Sequence, residues 1–260
     1  MVKPKVCVLR TAGTNCDKET AFAFEAAGAS SEFVHIKELV EGRNALTHFH
    51  ILVLPGGFSY GDDIASGKIL ANELTNKLSV DLKKFIQDGK LIIGICNGFQ
   101  TLVKSGLLPG NSELRQETSL IINDSGKFED RWIHLRKSHD KCVWAKNLPE
   151  VISLPVAHGE GKFVTQDKAT LERLKNNGQI VFQYCDEKGK LAGYPYCPNG
   201  STENIAGICD ETGRVFGLMP HPERHIQFTQ APRWTASLKK GAGDGMQVFR
   251  NGVEYARAKL

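Results

Sequence analysis

The seven cysteines of this 260-residue chain include no Cys-x-x-Cys pair. An odd, scattered set of this kind indicates neither a disulfide framework nor a zinc knuckle. No apolar run reaches the roughly 18 residues that mark a membrane span, and the N-terminus lacks a signal-peptide pattern, so a cytoplasmic chain with no membrane partner is expected. There is no Lys/Arg block, and the net charge is only +4, which argues against a nucleic-acid surface. A P-loop is also missing, and nothing else suggests that this chain holds nucleotide phosphate. Without internal repeats, low-complexity tracts or a clear linker, residues 1–260 read as one large α/β domain. An apolar content of 41% is sufficient for its core.

What the chain does contain is Gly94-Ile95-Cys96-Asn97-Gly98-Phe99-Gln100. It follows the strand-like Leu91-Ile92-Ile93 and precedes a helix-like Thr101-Leu102-Val103-Lys104. A cysteine between two glycines at such a corner has the form of a nucleophile elbow, with sulfur in place of serine oxygen. The turn is expected to push the Cys96 side chain into solvent above the helix start, where free N–H groups and the helix dipole favour a thiolate. The competing reading is a buried, inert cysteine that ends a strand.

A second strand-like run, Val215-Phe216-Gly217-Leu218-Met219, ends in Pro220-His221-Pro222-Glu223-Arg224. A thiol nucleophile needs a base, and the base needs an orienting group. His221 supplies the first and Glu223 the second. Two residues apart, they share one side of an extended segment, which Pro222 stiffens. A third strand, Ile51 to Leu54, runs into Pro55-Gly56-Gly57-Phe58-Ser59-Tyr60-Gly61-Asp62. Such a turn can offer the Gly57 N–H as one oxyanion donor, with the Asn97 N–H as the other. Taken alone, the His-x-Glu pair and the Gly-rich turn also fit an ordinary surface loop and a plain connection.

Around these pieces, strands and helices alternate. Lys5 to Leu9, Phe33 to Ile36, Ile51 to Leu54 and Leu91 to Ile95 read as strands; Asp17 to Ala27, Ile64 to Leu74 and Val80 to Gln87 read as helices. This rhythm predicts a parallel sheet covered by helices on both faces, with functional loops at the carboxyl ends of its strands. Arg10 to Asn15, Pro55 to Asp62, Cys96 and His221 all fall at such ends. Antiparallel strands are expected from about Phe128 to Met219, with Asp210 to Gly213 as a hairpin turn. Met246, Phe249, Val253 and Ala256 form the apolar stripe of a C-terminal helix.

In their order, these blocks resemble the class I (triad) glutamine amidotransferases. Within them the chain is similar to the glutaminase subunits that serve de novo purine synthesis. Pro55 to Asp62, Gly94 to Gln100, His158-Gly-Glu-Gly161, Pro198-Asn-Gly-Ser201, Ile205-Ala-Gly-Ile208 and Gly217 to Arg224 carry this match, which runs from about Val6 to about Ile226. It implies a flavodoxin-like, mainly parallel central sheet with an antiparallel extension. It implies a Cys96-His221-Glu223 triad that hydrolyses L-glutamine to glutamate and ammonia, with Gly57 and Asn97 as the oxyanion hole. Gly56, Phe58, Gln100, His158 and Gly159 would hold the glutamine; His158 either touches substrate or only orders its Gly-rich turn. The ammonia would convert formylglycinamide ribonucleotide to the amidine on a separate synthetase subunit, assembled with a small third subunit. This chain would then need no cofactor or metal, since ATP and Mg are used by the synthetase.

The chain departs from the pattern at Asp63-Ile64-Ala65, where many members carry an aromatic residue and then Leu-Arg, and at Cys197, where Asn is common. Cys7 reads as core. Cys16, Cys142, Cys185, Cys197 and Cys209 have no adjacent base motif and read as structural. His221 and His225 have the spacing of helical metal ligands, but Pro222 opposes a regular helix. Rival functions are an amidotransferase of another pathway, a γ-glutamyl hydrolase, and a thiol sensor or chaperone. The last leaves His221-Pro222-Glu223 without a purpose.

Overall fold

The computed structural model describes residues 3–111, 113–236 and 240–260, and a nine-stranded sheet organises them. Its first half is parallel: β2 (Ser30–His35), β1 (Lys5–Arg10), β3 (Ile51–Leu54) and β4 (Leu91–Ile95) lie side by side in that order. β3 and β4 are buried along their whole length, which is why their sequences are continuously apolar. The next neighbour of β4 comes from far along the chain. β11 (Val215–Leu218) runs parallel to it, with Gly217 opposite Gly94 and Leu218 opposite Ile95. Beyond β11 the sheet turns antiparallel through β10 (Ile205–Cys209), β9 (Ile180–Cys185), β6 (Glu129–Lys137) and β7 (Val151–His158). A separate ribbon pairs β5 (Thr118–Ile121) with β8 (Lys162–Thr165). The mainly parallel sheet with an antiparallel extension is the architecture expected from the sequence.

The helices follow local rules. α1 (Asp17–Ala26) has Asp17 and Glu19 in its first turn, where they meet the positive end of the helix dipole. α7 (Met246–Lys259) buries the predicted stripe of Met246, Phe249, Val253 and Ala256. Its Phe249 ring packs edge-on to Phe24 of α1 at 5.0 Å. Asp210 to Gly213 is the β10–β11 turn: Asp210 Oδ1 accepts from the Arg214 and Val215 N–H groups, both at 2.9 Å.

Some boundaries differ from the sequence reading. The segment after Asp62 does not begin a helix at Ile64; α3 (Lys68–Lys77) starts after Gly67, which has φ 73°, and α4 (Ser79–Gln87) follows it. Tyr60 and Asp62 also have positive φ, so the preceding loop stays irregular. Ile36 leaves β2 and opens a short helix, α2 (Ile36–Val40), because His35 and Glu38 form a capping box there. The stretch from Phe128 to Met219 is not wholly antiparallel. It contains α6 (Lys168–Asn176), capped by Asp167, and β11 joins the parallel half.

Candidate active site

β4 ends at Ile95, and a second buried helix, α5 (Asn97–Lys104), begins at once. Cys96 makes the corner at φ 50°, ψ −105°, a sparsely populated conformation that costs on the order of 1–3 kcal/mol. Two backbone bonds hold it: its N–H donates to Leu218 O of β11 at 2.8 Å, and its carbonyl accepts from the Gln100 N–H at 3.0 Å. The flanking glycines are sterically required. A Cβ at Gly98 would overlap the Leu54 carbonyl, and one at Gly94 would lie 2.6 Å from Gly98 O. The thiol is not in solvent as the sequence suggested. Cys96 is 5% exposed, and its Sγ lies 3.7 Å from Ala157 O, because the end of β7 crosses the elbow.

Past β11, the His221 N–H donates to Pro155 O at 2.9 Å, tying this segment to β7 as well. His221 is extended, at φ −104°, ψ 91°, but Pro222–Arg224 forms a 3-10 turn rather than the continued extension expected. The turn still brings Glu223 back to the ring: Nδ1–H donates to Glu223 Oε1 at 2.6 Å, with both residues buried. Nε2 of His221 has no hydrogen-bond partner. Burial disfavours the imidazolium. The Glu223 carboxylate, the Cys96 sulfur and polar contact with both Cys16 and Cys96 outweigh it, and His221 is held well above its ordinary value. These surroundings favour the protonated ring, beside a sulfur, with its far nitrogen anchored on a carboxylate.

The loop after β3 packs over the start of α5. Asn97 joins them: its Oδ1 accepts from the Ser59 N–H at 3.1 Å, and its Nδ2 donates to Asp62 Oδ1 and Gln100 Oε1, both at 3.0 Å. Gly57 has φ 144° and bridges to Thr14 of the loop after β1. Gly56 lies against His221, where a Cβ would fall 2.8 Å from Cε1, so a side chain would displace the ring. Phe58 is nearly half exposed at the rim. Gln100 is buried, and its Nε2 donates to Glu160 O at 2.6 Å. Its amide thus links the start of α5, through Oε1, to the turn after β7, through Nε2.

That turn holds His158 and Gly159. His158 Nδ1 lies 3.2 Å from Asn123 Oδ1, and Asn123 also donates to His158 O at 2.8 Å and accepts from the Gly161 N–H at 2.9 Å. Burial, followed by the charge on nearby His221, pushes His158 down to about 4, so the ring is neutral. Its Nε2 is buried without a partner. The structure thus gathers Cys96, His221, Glu223, Gly56, Gly57, Asn97, Gln100, His158 and Gly159 around the carboxyl edge of the central strands, with Phe58 outermost.

One neighbour escaped the sequence reading. Cys16 is not remote from a base: its Sγ, a ring nitrogen of His221 and a Glu223 oxygen lie within 4.8 Å of one another. The available signal was its place directly after the Arg10 to Asn15 loop, which the topology brings to this edge. Among the described residues this trio has suitable atoms for a metal, but Arg224 Nη2 donates to Cys16 Sγ at 3.2 Å and sets a positive charge beside it. His225 points elsewhere, its Nδ1 bonding Ser153 O at 2.8 Å. Cys7, Cys142, Cys185, Cys197 and Cys209 are buried free thiols.

Comparison with known proteins identifies relatives of this chain. Residues 3–256 match the CobB/CobQ-like glutamine amidotransferase domain. A phosphoribosylformylglycinamidine synthase subunit PurQ from Methanococcus maripaludis is 45% identical, with 98% of each chain covered. The protein of the same name from Dehalococcoides mccartyi is 47% identical, with 99% of each covered. Among solved structures, a chain of PurLQS from Thermotoga maritima superposes with a TM-score of 0.75 at 33% identity, covering 98% of this chain and 99% of that one. The chain therefore belongs to the CobB/CobQ-like glutamine amidotransferase family.

Proposed function

We propose that this chain is the glutaminase subunit of phosphoribosylformylglycinamidine synthase. The observation that carries the chemistry is the buried His221–Glu223 pair beside Cys96; the 45–47% identical relatives carry the pathway. In the proposed reaction, Cys96 Sγ attacks the side-chain amide carbon of glutamine, and the oxyanion that forms is bound by the Gly57 and Asn97 N–H groups. One such donor is typically worth about 2.7–4 kcal/mol in the transition state. The His221 imidazolium gives its proton to the amide nitrogen, the C–N bond breaks, and ammonia leaves. The same ring, now neutral, takes a proton from water; the resulting hydroxide attacks the thioester, and glutamate departs with the Cys96 sulfur restored. Glu223 holds Nδ1 throughout. Gln100 acts by fixing the turn that presents His158 and Gly159 to the α-amino and α-carboxylate groups, and Gly56 and Phe58 form the near wall.

The ammonia is consumed by a synthetase subunit, which binds ATP and Mg, so this chain needs no cofactor of its own. A small third subunit completes the assembly, in the cytoplasm. Among the described residues no helix is long and apolar enough to cross a membrane. The test is reconstitution with the synthetase. Cys96→Ala should abolish glutamine-dependent formation of the amidine while leaving the reaction driven by ammonium salt intact. Glutamine-dependent synthesis that survives this substitution refutes the proposal.

A further inference from the structure

We infer that Cys16 is a positioning residue for His221: its sulfur packs against the imidazole beside the Gly56 backbone and fixes the ring with Nδ1 on Glu223 and Nε2 left for Cys96. The inference rests on His221 being the base of the proposed reaction. Cys16 precedes α1, whereas His221 follows β11, so the contact joins two distant elements. It leaves no room between them, since an atom at the Gly56 Cβ position would lie 2.8 Å from His221 Cε1 and 3.1 Å from Cys16 Sγ.

The sulfur is itself held from several sides. The Cys16 N–H donates to Gly56 O at 3.2 Å, and its carbonyl accepts from Thr20 Oγ1 at 2.6 Å. Sγ–H donates to Asn15 Oδ1 at 3.2 Å, and Sγ accepts from Arg224 Nη2 at 3.2 Å. Arg224 in turn reaches Glu19 of α1 at 3.9 Å. A cysteine that served only as core filler would sit among apolar atoms. This one, 2% exposed, has Asn15, Arg224, His221 and Glu223 as polar neighbours. The lone pairs of its sulfur add acceptor character beside the imidazolium. The other titratable groups that act on His221 are Glu223, Cys96 and His158, while Arg224 acts on it through Cys16.

The test compares Cys16→Val, which replaces the polar sulfur by apolar carbon and adds one methyl group, with Cys16→Ser, which keeps a polar atom. Each full-length variant is assayed for glutamine turnover in the complex with the synthetase, and the protonation of His221 is followed by imidazole nitrogen NMR. Cys16→Val should lower kcat about five- to tenfold, the scale of one hydrogen-bond-sized interaction, with KM for glutamine changed less than about twofold. Its His221 should lose the proton at lower pH than in the parent. Cys16→Ser should recover most of kcat and of the titration. Parental kcat and titration in Cys16→Val overturn the inference, as do equal losses in both variants with an unmoved His221. Turnover that survives His221→Ala instead removes the underlying assignment of the base, a separate failure.

Discussion

A thiol with only 5% of its surface exposed has no bulk water to take or give protons, so its chemistry depends on groups already in contact with it. Around Cys96 these are His221 and, behind it, Glu223. Cys96→Ala should therefore abolish both glutaminase turnover and labelling by an electrophilic glutamine analogue, with the other six cysteines unlabelled in the parent chain; mass spectrometry of the labelled peptide reads this directly. Glu223→Gln keeps the shape of the anchor but removes its charge and lets the imidazole settle in the wrong tautomer. Turnover should fall by a factor approaching about 10⁴, with thioester formation retained. His158 leaves a different signature. An unfolded histidine takes a proton near pH 6.5, whereas buried His158 takes one only at about 4. The unfolded state thus binds the extra proton, and stability falls as pH drops through that window, by roughly 2 kcal/mol at pH 5. Denaturant unfolding of His158→Gln should lack this component. At this scale the meeting of Cys96 with His221 and Glu223 was legible because the elbow and the His-x-Glu segment each stand out in a few adjacent residues. Cys16 was not, because its contact with His221 spans most of the chain and leaves no local mark.

Elements place these residues to within the reach of a hydrogen bond, and one tight joint is α5 against β3 and β4. Gly98→Ala puts a methyl group onto the Leu54 carbonyl. Since backbone stands on both sides, the elbow must shift, and analogue labelling of Cys96 should be lost even where the chain still folds; unchanged labelling kinetics would show that α5 can move without disturbing the thiol. Phe249→Ala in α7 removes the ring that packs on Phe24 and should cost about 3–5 kcal/mol in denaturant unfolding. β3, β4 and the α7 stripe were readable because each is a single local pattern: continuous apolar runs for strands covered on both faces, a 3.6 period for the helix. α1 was readable from the acids in its first turn and from Gly28 after its end. α6 was missed because only Thr170 and Leu174 of it are buried, too thin a stripe to stand out from a polar segment. The parallel sense of β11 was hidden because strand direction is set by a partner more than a hundred residues away, not by its own side chains.

At the scale of the whole molecule, the site lies on one edge of the sheet, and the loop at its rim carries two exposed apolar side chains. Ile64 is 73% exposed and Phe58 47%, both on the loop that carries Gly57. A synthetase that covers these side chains would also steady the oxyanion donor. The isolated chain should therefore be a poor glutaminase, and the assembled complex should turn over glutamine roughly a hundredfold faster, equivalent to about 3 kcal/mol in the barrier. Equal kcat for the chain alone and in complex sinks this coupling but leaves the triad standing. Ile64→Asp should weaken assembly, measured by light scattering, while Cys96 labelling in the free chain stays the same.

The insertion of β11 between β4 and β10 also has a meaning in time. A chain leaves the ribosome N-terminus first. Cys96 is therefore made, and its elbow can form, long before His221 exists. Through that interval β4 has an open flank and the sulfur has no proton partner. The last strand to be synthesised fills the gap, supplies the Leu218 carbonyl that accepts from the Cys96 N–H, and delivers the imidazole in the same move. On the proposed mechanism a nascent chain consequently should not spend glutamine; the step that completes the sheet is then the step that switches the chemistry on.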